Sequence, residues 1–339
     1  MRILVWGNAG GIYLYAVLVM KDLNRIVLRV CLYLLPLVIL AAGLEYTARH
    51  LPNSYILKKE CFEDYLSKNK LEVLILGDSH VLHGLDPREF SMNAFNMAED
   101  GQYLEYDLGL LKKYRDRMPD LKYLVLRVGT RAFFCQIGDT SDMQQAYEYT
   151  IYYGIDHLPW SIENHLELFH IRGIEKRLFN AKKMREEYDP SLRGYSPHFV
   201  QDKSMRKDVV CTGREDCNCP GLRRVRTHLP LKPEEGWSVN TRYLEEIIQI
   251  CREMNVKLVL LHCPCFDWYR AHQNEEQTEQ LRVLCRSLAA ENKDIYFLDL
   301  LDDPDFVRDD YYDVNHLQDN GAKKFSRKVN DFLLSIDGK

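Results

Sequence analysis

Two short polar blocks of the sequence hold side chains that could do chemistry. Ser79 lies in the block Gly77-Asp78-Ser79-His80, directly after a run of apolar residues, so its hydroxyl would stand where a buried strand ends. Near the C-terminus, Asp313 precedes His316 by three residues, a spacing that lets one turn present a carboxylate and an imidazole together. A serine is a weak nucleophile until a base removes its proton, and that base needs a third group to orient it. The two blocks therefore supply a candidate nucleophile, base and orienting acid.

The elements that must position these blocks alternate along the chain from Leu71 onward. Short apolar runs predict buried strands at residues 73–76, 123–128, 257–262 and 295–300, and apolar residues at helical spacing between them predict helices. This alternation indicates an α/β fold with a parallel sheet that is covered by helices on both faces. Between about 131 and 240 the alternation breaks. That break predicts an insertion over the carboxyl edge of the sheet, where open α/β sheets bind ligands.

The two polar blocks resemble those of the SGNH (GDSL-type) hydrolase superfamily. In that superfamily the serine sits in a Gly-Asp-Ser block after the first strand, and the acid and base come from an Asp-x-x-His block near the C-terminus. The resemblance covers residues 70–339 apart from the insertion, and it implies a flavodoxin-like three-layer α/β/α sandwich. By the same resemblance Ser79 would be the nucleophile, His316 the general base and Asp313 its orienter.

Two further blocks of the superfamily build its oxyanion hole. The second block supplies a backbone N–H from a glycine after the second strand, which corresponds to Gly101 here. The third block normally reads Gly-x-Asn-Asp, but the corresponding stretch here is Gly129-Thr130-Arg131-Ala132, without the asparagine. Loss of one oxyanion donor costs about 2.7–4 kcal/mol where it has been tested. Arg131 is a candidate replacement because a guanidinium offers several donors, and Asn96, near the end of the second strand, is another.

The N-terminal part of the chain has the composition of a membrane anchor. Residues 26–44 are apolar apart from Arg29, and they are long enough to cross a bilayer. Because Lys21, Arg25 and Arg29 all precede the apolar core, the positive-inside rule places the following domain outside the cytoplasm. We therefore expect a single-pass anchor in the cytoplasmic (inner) membrane, with the main domain on the periplasmic side. Cleavage by a signal peptidase near Ala41-Ala42-Gly43 is the alternative, and it would export the same domain.

The remaining domain boundaries follow from that anchor. Residues 1–25 are interpreted as an N-terminal extension, with the true start at Met20. Residues 45–69 are expected to be a linker, and residues 70–339 the α/β domain with its insertion. The apolar stretch within residues 3–20 leaves open a two-helix hairpin, which would return the domain to the cytoplasm.

Composition and charge argue against several classes of function. The formal net charge of −5 gives no electrostatic case for nucleic-acid binding, and the basic run at 223–226 is interpreted as a solvated face. The ten cysteines show no paired Cys-x-x-Cys spacing, so we expect no metal or other cofactor. In an exported domain, a loop with Cys211, Cys217 and Cys219 favours disulfides.

An anchor followed by such a core resembles bacterial membrane-anchored SGNH proteins, whose relatives add or remove acetyl groups on polysaccharides. The main hypothesis is a serine esterase or O-acyltransferase that acts on acyl esters, commonly acetyl, of cell-envelope glycans. The alternative is a catalytically inactive SGNH-like protein that binds a glycan or partners a membrane-bound acyltransferase. The missing asparagine and the long insertion favour that alternative.

Overall fold

The computed structural model describes residues 9–137, 143–157, 160–170, 174–197 and 219–337. The chain divides into two compact units, one of Met1–Leu51 with Leu166–Phe179 and the other of Pro52–His165 with Asn180–Lys339. The α-helices are α1 (Ala9–His50), α2 (Ser54–Lys68), α3 (Ser79–Leu82), α4 (Leu104–Tyr114), α5 (Thr130–Phe134), α6 (Met143–Glu148), α7 (Ile162–His165), α8 (Ile174–Glu187), α9 (Pro220–Thr227), α10 (Pro233–Met254), α11 (Asp267–Arg270), α12 (Glu275–Glu291) and α13 (Asp319–Asp337). The strands are β1 (Val73–Leu76), β2 (Ala94–Asn96), β3 (Tyr123–Val128), β4 (Lys257–His262) and β5 (Ile295–Asp299).

The five strands form one parallel sheet in the order β2-β1-β3-β4-β5. β1 pairs with both β2 and β3, with Ile75 opposite Asn96 and Leu76 opposite Leu126. This is the flavodoxin-like order, in which the connections diverge between β1 and β3 and ligands bind outside the carboxyl ends of those strands. The predicted α/β fold with a parallel sheet is therefore confirmed.

Two hydrophobic cores lie against the two faces of the sheet, because successive side chains of a strand point to opposite faces. On β1, Leu74 and Leu76 belong to the first core, and Val73 and Ile75 belong to the second. Helices α4, α10 and α12 contribute to the first core, and α13 contributes to the second. The sheet is thus the middle layer of an α/β/α sandwich, as the resemblance implied.

Residues 45–69 differ from the expected linker. They hold the end of α1 and the whole of α2, which packs Tyr55, Ile56 and Phe62 into the first core. Asn53 caps α2, because its side chain accepts the Ile56 N–H at 2.8 Å. The apolar residues of α2 are interspersed with lysines and acidic residues. The segment therefore shows little apolar periodicity, and the sequence pattern does not indicate a helix there.

Within the described residues, Ala9–His50 forms one continuous helix, α1, rather than the two helices of a hairpin. Within α1, Leu23–His50 is long and apolar enough to cross a membrane, a property that membrane anchors and signal sequences share. The large apolar side chains from Leu23 to Leu44 are exposed. At the end of α1, Glu45 accepts the N–H groups of Glu167 and Leu168 at 3.1 and 3.0 Å. The N-terminal apolar helix is therefore confirmed as a helix.

The insertion expected at about 131–240 is largely helical where it is described. A π-helical turn, Tyr149–Tyr153, follows α6 and packs buried tyrosines into the first core. On α10, the Asn240 amide donates to the carbonyls of Phe133 and Cys135 at 3.1 and 3.0 Å. The tyrosines anchor the insertion to the first core, and the Asn240 bonds join its two ends to each other.

We predict that Gly77→Ala destabilises the fold strongly. Gly77 has φ +137°, and a Cβ there would lie 2.4 Å from Arg127 Cβ. Backbone strain and overpacking together should lower the free energy of unfolding by roughly 2–6 kcal/mol. The control is Gly154→Ala, because Gly154 has φ +65° but open space around it. Backbone strain alone should then lower the free energy of unfolding by about 1–2 kcal/mol. Denaturant unfolding measures both, and equal losses would contradict the steric argument.

Candidate active site

Ser79 lies half-buried at the first position of α3, directly after β1. Asp78 caps this short helix, because its side chain accepts the His80 N–H at 3.1 Å. Gly77 turns the chain between strand and helix. The serine is therefore fixed at the carboxyl edge of the sheet, beside the point where folds of this topology bind ligands.

The structure brings Ser79, His316 and Asp313 together in one hydrogen-bonded series. His316 Nε2 lies 2.8 Å from Ser79 Oγ, and His316 Nδ1 lies 2.9 Å from Asp313 Oδ2. An ionised carboxylate can only accept, so Nδ1 carries the proton and Nε2 accepts from the serine hydroxyl. In this arrangement an imidazole can act as a general base toward a serine.

The turn that carries His316 is closed by Asp313 itself. Asp313 Oδ1 accepts the N–H groups of Asn315 and His316 at 2.9 and 2.8 Å. Burial alone would raise the pKa of Asp313, but the His316 ring and these hydrogen bonds outweigh burial and hold the pKa well below its ordinary value. The carboxylate therefore stays ionised and keeps the imidazole in one orientation.

A buried carboxylate, that of Asp78, adjoins Ser79. Arg127 Nη1 lies 3.1 Å from Asp78 Oδ2, and His80 Nδ1 lies 2.9 Å from Asp78 Oδ1. Burial would raise the pKa of Asp78, yet Arg127 and His80 hold that pKa well below its ordinary value. Burial lowers the pKa of His80 to about 4, so this ring is neutral and donates from Nδ1 to the carboxylate.

His80 also joins the two polar blocks of the sequence. Its unprotonated Nε2 accepts from Asn315 Nδ2 at 3.2 Å. Because Asn315 lies between Asp313 and His316, this hydrogen bond fixes the turn that carries the base against the turn that carries the serine. No sequence pattern singled out Asn315, which occupies a variable position of the Asp-x-x-His block.

Gly101 and Arg131 line the same cavity as Ser79. The backbone N–H groups of Ser79 and Gly101 have no backbone or side-chain acceptor in the described ranges, so both are available to a ligand oxygen. Arg131 Nη1 donates to the Gly101 carbonyl at 3.2 Å, and its guanidinium lies 4.6 Å from the centroid of the Tyr103 ring. The arginine therefore holds the loop of the proposed oxyanion glycine.

Asn96 does not occupy the position that the sequence suggested. Its amide Nδ2 donates to the carbonyls of Val81 and Leu85 at 2.7 and 2.9 Å, and its Oδ1 accepts the Ala98 N–H at 3.0 Å. The side chain is fully buried, and both amide hydrogens are already donated. Asn96 thus secures the chain after α3 and has no hydrogen left for an oxyanion.

A cavity of about 790 Å³ opens over Ser79, Asp313 and His316. Several lining residues were not expected at this site, namely Asp100, Gln145, Arg224, Arg226, Thr227, His228, Leu229, Leu231 and Tyr312. Arg224 and Arg226 belong to the basic run that was interpreted as a solvated face. Both are exposed, but they face this cavity. The sequence did contain an indication of this position, because the basic run lies inside the insertion that was expected over the carboxyl edge of the sheet.

The cysteine loop is only partly described. Cys219 Sγ accepts the Leu222 N–H at 3.4 Å and so caps α9. Cys219 is a free thiol. Cys211 and Cys217 lie outside the described residues, so a disulfide that involves them stays a prediction. Within the described part of the chain, no group of His, Cys, Asp and Glu side chains is arranged to hold a metal ion.

Comparisons with known proteins add little to this geometry. No family model matches the chain, and no curated protein matches it. A solved structure of "a putative platelet activating factor from Streptococcus pneumonia" is similar at 14% identity and a TM-score of 0.41, over 87% of this chain and 97% of that chain. Similarity at that level carries no conclusion about activity.

A buried ion pair supports the loop that carries Gly101. Lys58, on α2, lies 3.1 Å from Glu99 Oε1, and its ammonium also donates to the Ala98 carbonyl. Glu99 N–H in turn donates to the Gly77 carbonyl at 3.3 Å. Burial raises the pKa of Glu99, and Lys58 opposes that rise. The helix that replaces the expected linker thus contributes directly to the candidate site.

We predict that Lys58→Met destabilises the protein by roughly 3–5 kcal/mol at pH 8, because it leaves a buried carboxylate without its partner. The folded pKa of Glu99 already lies above its ordinary value, so ionised Glu99 costs stability as the pH rises through that pKa. Without Lys58 the pKa rises further, and the loss should therefore shrink at pH 5. Denaturant unfolding at both pH values measures the effect.

Two control variants accompany this measurement. Lys68→Met, on the same helix, removes a lysine from an exposed pair with Asp64 and should cost less than about 1 kcal/mol. Adding Glu99→Gln to Lys58→Met should recover part of the lost stability. An equal loss at pH 5 and pH 8 would contradict the assignment to Glu99.

Proposed function

We propose that the protein is an SGNH-type serine esterase or O-acyltransferase that acts on acyl esters, commonly acetyl, of cell-envelope glycans. The observation that carries this proposal is the Ser79–His316–Asp313 series at the floor of an open cavity. A hydrogen bond of 2.8 Å from the serine to the imidazole already has the length that proton transfer requires. The neighbouring N–H groups of Ser79 and Gly101 add donors for a developing negative charge.

In the proposed reaction, Ser79 Oγ attacks the ester carbonyl carbon while His316 Nε2 takes the hydroxyl proton. The carbonyl oxygen becomes an oxyanion, and Asp313 stabilises the imidazolium. The bond to the glycan oxygen then breaks, that oxygen receives the proton from His316, and the acyl group stays on Ser79. A water molecule or a second glycan hydroxyl, deprotonated by His316, next attacks the acyl-serine. The bond between the acyl carbon and Ser79 Oγ then breaks, and Oγ takes the proton back from His316. Water as the acceptor completes hydrolysis, and a glycan hydroxyl completes transfer.

The proposed location is the extracytoplasmic side of the inner membrane, with α1 as the anchor. The apolar length of Leu23–His50 and the basic residues Lys21, Arg25 and Arg29 support it. A catalytic domain held there would meet envelope glycans. No membrane partner is required by the proposed reaction.

We predict that a fluorophosphonate labels Ser79 in the full-length protein in detergent. Ser79→Ala should abolish labelling, because it removes the nucleophile. His316→Ala should slow labelling by at least about 10³-fold, because the serine loses its base. Gel fluorescence over time measures the rate constants.

The matched controls are Ser67→Ala and His272→Ala, which replace exposed residues that do not line the cavity. Both should be labelled like the native protein. Equal labelling rates for the native protein and His316→Ala would rule out His316 as the general base. A folded protein without any labelling would favour the alternative function, a catalytically inactive glycan-binding protein or a partner of a membrane acyltransferase.

We also predict that Arg131→Met lowers kcat/KM for 4-nitrophenyl acetate by about 10–10³-fold. The methionine can still pack on Tyr103, but the donor to the Gly101 carbonyl is lost. The upper value corresponds to the loss of a direct oxyanion donor. Arg131→Lys should restore part of the rate. An unchanged kcat/KM in Arg131→Met would exclude Arg131 both as a direct oxyanion donor and as the residue that holds the Gly101 loop for the reaction.

A further inference from the structure

The insertion contributes one wall of the cavity, and cationic side chains line that wall. Arg224 and Arg226 lie in the last turn of α9, and Arg131 lies in α5. Arg224 Nη2 is 3.9 Å from Asp313 Oδ2, so this cationic wall adjoins the triad. The guanidinium of Arg226 makes no ion pair with a carboxylate in the described ranges.

The carboxylates that line the same cavity are already engaged by other groups. Asp78 pairs with Arg127, and Asp313 is bonded to His316. The third carboxylate, Asp100, has its Oδ1 3.2 Å from His83 Nε2. Arg224 makes only a long ion pair with Asp313, at 3.9 Å, and within the described ranges neither Asp78 nor Asp100 pairs with Arg224 or Arg226.

His228 lies in this wall, close enough to its arginines for their positive charge to affect its pKa. Its Nδ1 lies 2.5 Å from the Tyr269 hydroxyl, and burial lowers its pKa well below the ordinary value. The positive charges of Arg131 and Arg224 lower that pKa further, so the ring stays neutral. A ligand that binds here therefore meets fixed arginines rather than a titrating histidine.

We propose that the substrate of this site carries an anionic group, a carboxylate or a phosphate, beside its acyl ester, and that Arg226 with Arg224 binds that group. This inference rests on the proposed function and adds an acidic glycan as the substrate class. A guanidinium matches a carboxylate or a phosphate with two parallel hydrogen bonds, so the pair can recognise shape as well as charge. Exposed at the cavity mouth, the two arginines can engage such a group while the ester reaches Ser79.

The test compares polymers that differ in charge. The full-length protein in detergent is given O-acetylated polygalacturonate, the same polymer with its carboxylates methyl-esterified, and O-acetylated dextran phosphate beside neutral O-acetylated dextran. We expect kcat/KM for acetate release to be at least about tenfold higher for a charged polymer than for its neutral counterpart. Which charged polymer is preferred distinguishes carboxylate from phosphate. Equal values for charged and neutral polymers would overturn the inference.

Arg226 is the better position for a variant, because Arg224 also lies close to Asp313. Arg226→Gln should lower the ratio of charged to neutral kcat/KM by about tenfold, and Arg226→Glu should lower it further. Arg223→Gln is the matched control, since Arg223 is an exposed arginine of the same helix that does not line the cavity. It should keep the native ratio. An unchanged ratio in Arg226→Glu would refute the assigned residue.

A binding measurement separates this inference from the proposed function. The Ser79→Ala variant, which cannot turn over, is titrated with the same polymers, and the charged polymer should bind at least about tenfold more tightly and lose affinity with added salt. Preferential binding that Arg226→Gln removes, without acetate release by the native protein, would uphold the acidic ligand and reject the enzyme. Acetate release that is equal for all polymers, with equal binding, would uphold the enzyme and reject the acidic substrate.

Discussion

The buried ion pair between Asp78 and Arg127 is the constraint on which the rest of the site depends. Two charges removed from water must be held close together, because separating a buried pair is strongly destabilising. Arg127 occupies β3, and Asp78 follows β1, so the pair joins the two strands at which the sheet topology diverges. The guanidinium also dictates its surroundings, because a Cβ on Gly129 would lie 2.6 Å from Arg127 Nη2. The glycine that follows β3 thus leaves room for the buried guanidinium.

One histidine, His80, links that ion pair to the side chains of the Ser79–His316–Asp313 series. Asp78 fixes the tautomer of His80, whose other nitrogen then accepts from Asn315. Asn315 belongs to the turn of His316, so the position of the base depends on the charge state of Asp78. Ser79 and His316 are far apart in the sequence, and this series of hydrogen bonds holds their two turns in a fixed relative position. The triad is accordingly a property of the folded sandwich and not of either block alone.

Most of the fold is visible in the sequence, because strands buried on both faces read as continuous apolar runs. Val73–Leu76, Tyr123–Val128 and Lys257–His262 lie where those runs predicted. The residues that meet in the Ser79–His316–Asp313 series were also identified, because spacing within each block is local. Contacts between distant segments were not accessible, and these include the His80–Asn315 bond and the position of Lys58 beside Glu99. Asn96 was misplaced for the same reason, since its two carbonyl partners are set by the path of the chain after α3.

The missing asparagine of the third block is a weaker argument against catalysis than the sequence suggests. Removal of one oxyanion donor costs about 10²–10³-fold in rate, whereas enzymes accelerate their reactions by at least about 10⁶-fold. A site that keeps its nucleophile, base and backbone donors therefore retains most of its capacity for rate enhancement. Arg131 contributes in a different way, because its guanidinium is stacked on Tyr103 and bonded to the Gly101 carbonyl. By holding the Gly101 carbonyl, the arginine restrains the loop whose Gly101 N–H is the proposed oxyanion donor.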